Sequence, residues 1–231
     1  MKSPAEDTAL VADIYEVGKE ESAFAKYPII RRTLIGAMAL VPIPFVVSLR
    51  DLWLQPADVT TPSAELKTTL WRPGTRLVTD ITYQPIKAEE VPVGGLVNAV
   101  PADLVEVEEE EGNLNARAKA AVIVVRMTPE EIQSQQAPDG ENWDYEGLLC
   151  FSKICTHVGC PISLYQQRTH LLLCPCHQSM FDLADSANVV FGPAYRRMPQ
   201  LPITVDDEGY LVAVSDFAEP VGPSFWEVNK S

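Results

Sequence analysis

Two short segments of the chain hold most of the side chains that can bind a metal. Residues 155–160 read C-T-H-V-G-C, and residues 174–179 read C-P-C-H-Q-S. Each segment pairs a cysteine with a nearby histidine and carries a second cysteine beside that pair. Thiolates are soft ligands that suit the iron of iron–sulfur clusters, and imidazole is a common nitrogen ligand of iron. The residue types and their spacing therefore predict a metal centre that is held by sulfur and nitrogen together.

Three other kinds of site use the same residue types. A Cys2His2 zinc site fits the ligand count, but C-x-H with C-x-x-H is not the usual zinc-finger spacing, and it leaves Cys160 and Cys176 unexplained. A covalently attached haem needs C-x-x-C-H, and the run 174–177 is one residue short. A disulfide scaffold does not need paired histidines. A mixed site of two cysteines and two histidines is what a [2Fe–2S] centre of the Rieske type requires.

The two segments, C-x-H-x-x-C and C-x-C-H-x-S, resemble the cluster-binding boxes of Rieske proteins position for position. The resemblance implies a [2Fe–2S] cluster in which two cysteines bind one iron and two histidines bind the other. The ligands implied are Cys155, Cys174, His157 and His177.

The resemblance also assigns roles to three further residues near the cluster. It implies a disulfide between Cys160 and Cys176, which joins the two loops and requires an oxidising compartment. It implies that the hydroxyl of Ser179 donates a hydrogen bond to a bridging sulfide of the cluster.

One cysteine and one histidine fall outside the two boxes. Cys150 lies in the apolar run 147–151 and is predicted to be a buried strand residue. His170 precedes three leucines and is predicted to be a structural or surface residue. A Rieske oxygenase needs two more histidines and a carboxylate for a mononuclear iron. The chain has three histidines, so this count excludes an oxygenase.

Short apolar runs separated by turn residues predict an antiparallel all-β domain after residue 70. The sequence D-D-E-G at 206–209 predicts a hairpin turn between the last two strands. An acidic insert at 103–115 and a polar stretch at 128–146 are predicted to be surface excursions. The predicted strands are 76–82, 120–126, 147–154, 170–174, 202–205 and 210–214.

An uncharged run at 33–49 precedes this domain and predicts a membrane anchor. The chain is thus expected to have a cytoplasmic segment at 1–32, a transmembrane helix at 33–50 and a linker at 51–69. The Rieske domain follows at 70–231, with its cluster-binding part at about 150–195. Basic residues cluster before the anchor, which predicts that the cluster domain lies on the outer face of a bacterial plasma membrane. The pair Arg31-Arg32 also resembles a twin-arginine export signal.

The net charge of −14 argues against nucleic acid as a partner, because phosphate backbones are bound by an excess of lysine and arginine.

A third motif indicates which kind of Rieske protein the chain resembles. Residues 192–195 read G-P-A-Y and resemble the Gly-Pro-Ala-Pro loop that covers the cluster in subunits of cytochrome bc complexes, with Tyr195 in place of the last proline.

The stretch 151–226 resembles the Rieske subunits of actinobacterial cytochrome bcc complexes, which usually have three membrane spans where this sequence shows one. The resemblance implies a subunit of a quinol–cytochrome c reductase that has no complete active site of its own. It would take one electron from a quinol and pass it to a c-type cytochrome, with a cytochrome b subunit, membrane lipid and a dimeric complex or supercomplex as partners. The alternative is the exported small subunit of an arsenite-oxidase-type molybdoenzyme.

The resemblance also suggests which quinol is used. High-potential Rieske subunits have a tyrosine two residues after the serine of the second box, and its hydroxyl binds the sulfur of a ligand cysteine. This chain has Phe181 there. Because donors to sulfur stabilise the reduced cluster, their loss predicts a lower potential and favours menaquinol over ubiquinol.

Overall fold

The structure is a computed structural model that describes residues 4–22, 26–53, 62–112 and 114–223. The chain divides into two units, Met1–Val59 and Thr60–Ser231. Among the described residues, helices are the regular elements of the first unit, and the β-strands all lie in the second. The helices are α1 (Ala5–Glu21), α2 (Pro28–Leu40), α3 (Pro42–Trp53), α4 (Pro62–Lys67), α5 (Leu104–Glu111) and α6 (Asn115–Ala120), with a short 3-10 helix at Ala88–Glu90.

Helices α2 and α3 follow one another directly and form an apolar stretch. They separate at Pro42, whose nitrogen cannot donate a helical hydrogen bond. Within the described residues, Pro28–Leu49 is the one helical stretch long and apolar enough to cross a membrane, with a mean hydropathy of 1.8. Its large apolar side chains are exposed, as expected of a helix whose surroundings are lipid. Residues 54–61 of the predicted linker lie outside the described residues.

Two antiparallel sheets and a hairpin make up the second unit. The first sheet has the order β1-β2-β3-β4, the second has the order β5-β6-β7-β8, and β9 pairs with β10. The strands are β1 (Leu77–Thr79), β2 (Leu96–Pro101), β3 (Val122–Arg126), β4 (Leu148–Ser152), β5 (Leu164–Gln166), β6 (Leu171–Leu173), β7 (Met180–Asp182), β8 (Asn188–Phe191), β9 (Ile203–Val205) and β10 (Leu211–Ala213).

The predicted all-β domain is confirmed, although the sequence reveals only some of its strands. Each of the six predicted strands contains an observed one, and the predicted hairpin turn closes with the Asp206 N–H donating to the Tyr210 carbonyl at 3.0 Å. The strands that sequence analysis missed are β2, β5, β7 and β8. Three of these have three or four residues, and two of the three, β5 and β8, are mostly exposed, so that burial leaves no clear pattern in their sequences. The fourth, β2, follows two glycines and ends in proline, which are turn signals.

The first sheet is buried on both faces. Successive side chains of a strand point to opposite faces, and in β3 and β4 both sets enter apolar clusters. This explains why these two strands read as continuous apolar runs rather than as alternating ones. The first cluster contains Trp71, Val122, Val124, Leu148, Cys150, Ile203 and Leu211, and the second contains Ile123, Val125, Leu149, Phe151, Leu172 and Phe181. The sheet is therefore the middle layer between the β9–β10 hairpin and the second sheet.

The acidic insert is more ordered than predicted. It forms α5 and leads into α6, and Leu104 and Ala116 from these helices are buried in a third apolar cluster. Arg117 binds the insert to the sheet, because its guanidinium contacts Glu108 at 2.9 Å and Asp80 at 2.7 Å. The prediction of a simple surface excursion is thus wrong for the apolar face of these helices, although most of the glutamates are exposed or half-buried.

The polar stretch 128–146 is likewise tied to the domain, and Gln136 makes the main connection. Its side-chain amide donates to the carbonyls of Ser186 at 2.9 Å and Met198 at 2.7 Å. Gln136 and Gln200 also exchange hydrogen bonds, each side-chain oxygen accepting from the other residue's backbone N–H at 3.0 Å. These four hydrogen bonds help to attach a segment that sequence analysis treats as a surface excursion.

We expect Gln136→Ala to lower the free energy of unfolding by about 1–3 kcal/mol, because it leaves two buried carbonyls and one N–H without partners. Chemical denaturation of the detergent-solubilised chain, followed by circular dichroism, measures this difference. The matched control is Gln166→Ala on exposed β5, which should have little effect. Equal stabilities of the two variants would show that the hydrogen bonds of Gln136 do not contribute.

Candidate metal centre

The two cysteine–histidine segments form the loops at one end of the second sheet. Residues 155–160 connect β4 to β5, and residues 174–179 connect β6 to β7. Each loop is closed by its own backbone: the Cys155 N–H donates to the Cys160 carbonyl at 2.8 Å, and the Cys174 N–H donates to the Ser179 carbonyl at 2.8 Å. The second sheet thus presents both loops side by side.

The thiols of Cys155 and Cys174 are buried and lie next to each other. Burial raises the pKa of Cys155 to about 11, the backbone N–H of His157 lowers it, and the neighbouring Cys174 raises it again. Without a metal this thiol is therefore protonated at neutral pH. Since metal ligation requires a thiolate, binding must release the proton.

The imidazoles of His157 and His177 form the second pair of candidate ligands. Their ring centroids are 4.8 Å apart, and the rings meet edge to face at 85°. The Nδ1 atom of His157 is buried, and the described residues give it no hydrogen-bond partner. A buried polar atom without a partner is rare in proteins, and a bound metal ion accounts for it. His177 is exposed, so one side of the centre is open to other molecules.

Cys160 and Cys176 join the two loops as a disulfide, with Cα atoms 6.8 Å apart. The sulfur atoms of Cys160, Cys174 and Cys176 all lie within 4.8 Å of one another. This trio could suggest a mononuclear site, but two of the sulfurs are already bonded to each other. Of these three cysteines, Cys174 is the one with a free thiol, and this thiol lies next to that of Cys155.

A third loop, residues 192–195, packs directly against the second box. The Ala194 N–H donates to the buried Ser179 hydroxyl oxygen at 3.0 Å, so the hydroxyl hydrogen is free to donate elsewhere. The third loop requires Gly192, which has a φ of +92°, and a Cβ built on it would lie 2.5 Å from the Ser179 Cα. The third loop is therefore held close to the loop that carries Cys174.

The remaining cysteine and histidine lie away from this centre. Cys150 is buried in β4, as predicted, within the apolar cluster on the opposite face of the sheet from Cys155 and Cys174. Nδ1 of His170 lies 3.0 Å from the Tyr165 hydroxyl, and Nε2 lies 3.5 Å from Glu131. Both placements agree with structural roles.

Sequence analysis missed two residues at the centre. Thr156 is buried between two candidate ligands, and its hydroxyl donates to the Arg196 carbonyl at 2.6 Å. The two residues are far apart in the chain, so only the fold brings them together. Thr156 could have been noted from its place inside the first box, whereas Arg196 carries no signal of its own.

A buried thiol pair and an imidazole pair on two disulfide-linked loops are the donor set that a Rieske centre needs. Residues 101–202 match the family model of the Rieske [2Fe-2S] domain. This match and the antiparallel sheets confirm the predicted fold class. The chain is a Rieske iron–sulfur protein, and its domain carries a [2Fe–2S] cluster.

The relatives of the chain define the family within that class. The chain is 48% identical over 213 residues to the cytochrome bc1 complex Rieske iron-sulfur subunit of Streptomyces coelicolor, covering 92% of this chain and 57% of that protein. It is 51% identical over 166 residues to the subunit of the same name from Streptomyces lividans, covering 72% of this chain and 95% of that sequence. The chain belongs to the Rieske iron–sulfur subunits of cytochrome bc1 complexes. These relatives confirm the resemblance to Rieske subunits of cytochrome bc complexes and do not support the alternative, the small subunit of an arsenite-oxidase-type molybdoenzyme.

Among solved structures, the soluble domain of Rieske protein II from Sulfolobus acidocaldarius matches 48% of this chain and 68% of that chain. The identity is 22% and the TM-score is 0.34. The chain spans little more than half the length of the Streptomyces coelicolor relative.

We expect the four candidate ligands to be required for the cluster, because each supplies one of the four donor atoms. The other two cysteines of these loops are bonded to each other and cannot replace a ligand. The variants Cys155→Ser, His157→Ala, Cys174→Ser and His177→Ala should each lose the cluster. Iron and sulfide analysis of the purified chain measures the loss. Cys150→Ser and His170→Ala are the controls and should keep full iron. A ligand variant with full iron would remove that residue from the set.

We expect Cys160 and Cys176 to remain bonded in the purified protein. Mass spectrometry of peptides prepared without a reductant should detect the cross-linked pair. Two alkylated free thiols at these positions would contradict the disulfide and the oxidising compartment that it requires.

Proposed function

We propose that the chain is the electron-transfer subunit of a quinol–cytochrome c oxidoreductase, which takes one electron from menaquinol and passes it to a c-type cytochrome. The observation that carries this proposal is the asymmetry of the centre. The cysteine side is buried, while His177 is exposed. Among the described residues, the imidazole side of the centre is therefore the side that a donor can reach.

The cluster, when bound, supplies a one-electron acceptor. The contribution of the chain is to position the donor and to receive its proton. The exposed imidazole of His177 can accept a hydrogen bond from a quinol hydroxyl and then hold the proton that leaves it. The second imidazole, that of His157, lies against it.

The three loops of the centre also carry exposed apolar and aromatic residues. Val158 lies in the first box, Phe191 precedes the third loop, and Tyr195 ends that loop. All three are exposed. Exposed apolar residues near polar groups are typical of binding sites. They fit the quinol and the membrane-embedded cytochrome b subunit that would hold it.

The proposed location follows from the apolar helix and the disulfide. The stretch Pro28–Leu49 would anchor the chain in the lipid of a bacterial plasma membrane. Basic residues cluster before this stretch, which favours a cytoplasmic N-terminal segment and a cluster domain on the outer face. The outer face is oxidising, as the Cys160–Cys176 disulfide requires. Export after folding, by the twin-arginine route, is compatible with a domain that must bind its cluster first.

The function can be tested in a complex that is purified through a tag on this chain. We expect b- and c-type haem to copurify, and a menaquinol analogue to produce the low average g-value spectrum of a reduced histidine-ligated cluster. Electron paramagnetic resonance detects this spectrum, and dithionite supplies the reference. A signal that appears with dithionite but not with menaquinol would refute the quinol reaction while leaving the cluster assignment intact. Absence of the signal with both reductants would refute the cluster itself.

We expect Phe181→Tyr to raise the reduction potential. Phe181 is fully buried in β7, in the same apolar cluster as Cys155 and Cys174. A tyrosine hydroxyl there needs a hydrogen-bond partner, and a ligand thiolate would supply one. A hydrogen bond to a charged group contributes about 1.5–3 kcal/mol, so the rise should be tens of millivolts. Protein-film voltammetry measures it.

The matched control for this variant is Phe217→Tyr, which makes the same chemical change in the apolar cluster on the other side of the first sheet. Its potential should equal that of the wild type. If Phe181→Tyr binds a full cluster but leaves the potential unchanged, the missing hydroxyl does not lower the potential of the wild type. The preference for menaquinol then also loses its support.

A further inference from the structure

Arg196 is a nearly buried cation beside the centre. It directly follows the third loop, and its side chain is only 8% exposed. Its guanidinium donates to the carbonyls of Pro220 and Gly222, the second at 2.8 Å. Burial lowers the pKa of this guanidinium and Glu219 raises it, but arginine remains charged in proteins at physiological pH.

The main chain of Arg196 contacts the first ligand loop directly. Its carbonyl accepts the 2.6 Å hydrogen bond from the hydroxyl of Thr156. Thr156 is fully buried and lies between Cys155 and His157 in the chain. The position of Arg196 therefore affects the backbone that carries one cysteine ligand and one histidine ligand.

The side chain of Arg196 is connected to the same loop indirectly, because the segment 219–223 lies between them. A Cβ built on Gly222 would lie 3.3 Å from the Ile154 side chain, and one built on Gly159 would lie 3.6 Å from the ring of Pro223. The segment thus packs against the loop at both of its ends. By donating to two carbonyls of this segment, the guanidinium holds it there.

Arg196 lies beside a carboxylate and a second arginine. Glu219 lies 3.8 Å from Arg196 and 2.7 Å from Arg197. Of the two arginines, Arg196 is the more buried, since the Arg197 side chain is 36% exposed. Charges act more strongly where water is excluded, and a reduced cluster carries one more negative charge than an oxidised one.

We infer that Arg196 is a positioning residue of the cluster site: it fixes the first ligand loop from both sides, and its buried positive charge raises the reduction potential. This inference rests on the ligand set proposed above, in which Cys155 and His157 belong to that loop. It adds a residue that lies outside all three loop motifs. It also assigns a role to the segment 219–223.

The test compares three variants of the full chain in detergent. Arg196→Gln removes the charge and the paired donors, Arg196→Lys keeps the charge, and Arg197→Gln removes an equal charge from the more exposed neighbour. Iron content, the reduction potential and amide hydrogen exchange of peptides covering 153–160 are measured for each. Iron content and the spectrum report on the ligand set, independently of the potential.

We expect Arg196→Gln to lower the potential more than Arg197→Gln, and Arg196→Lys to lie between Arg196→Gln and the wild type. Hydrogen exchange at 153–160 should become faster in both Arg196 variants and remain unchanged in Arg197→Gln. Full iron in Arg196→Gln with the potential and exchange of Arg197→Gln would overturn the inference.

If Arg196→Gln does not retain iron, the lysine variant decides. Iron retained in Arg196→Lys, with a potential below that of the wild type and faster exchange, supports the inference. Iron lost equally from both Arg196 variants would reduce the residue to a packing role and overturn the claim about its charge.

Discussion

Two thiols and two imidazoles on separate loops must meet at one place before they can hold a cluster, and this requirement governs the design of the domain. The loops lie at the same end of the second sheet because one precedes β5, the other follows β6, and these two strands are antiparallel. The Cys160–Cys176 disulfide links them covalently. The third loop then fixes the second box through the hydrogen bond from Ala194 to Ser179. Each of these constraints acts on a loop rather than on the side chain of a candidate ligand.

The same requirement explains why the first sheet is buried on both faces. One face packs on the hairpin and the other packs on the sheet that carries the loops. The short strands β5, β6 and β7 could not be stable alone, because three-residue strands bury little surface. Their support comes from Phe151 and its neighbours in the middle layer. The cluster site therefore depends on a buried sheet whose strands carry none of the candidate ligands.

Much of the candidate site was predictable from the sequence, because its chemistry is confined to two boxes of six residues each. The cysteine pairs and the two histidines stand in a spacing that few other sites use. The long strands β3 and β4 were also predictable, since their apolar runs are strong signals. The strands β5, β7 and β8 were not, because they are defined by pairing partners rather than by their own pattern.

Contacts between distant segments account for the rest of what the sequence did not reveal. The hydrogen bond between Thr156 and Arg196 joins residues 40 positions apart. Gln136 reaches carbonyls that are 50 and 62 positions away. A polar residue in a polar stretch gives no indication that its amide is used in this way. Such contacts follow from the packing of the layers, and only the folded chain shows them.

The burial of one side of the centre limits how the protein can exchange electrons. Cys155 and Cys174 are buried in the second apolar cluster, whereas His177 is exposed. Because electron transfer requires close approach, a reductant and an oxidant of useful size would both have to use the same imidazole edge. Their binding is then mutually exclusive. A partner that stays bound after giving its electron acts as a competitive inhibitor of the next transfer, so the rate of its dissociation sets an upper limit on turnover.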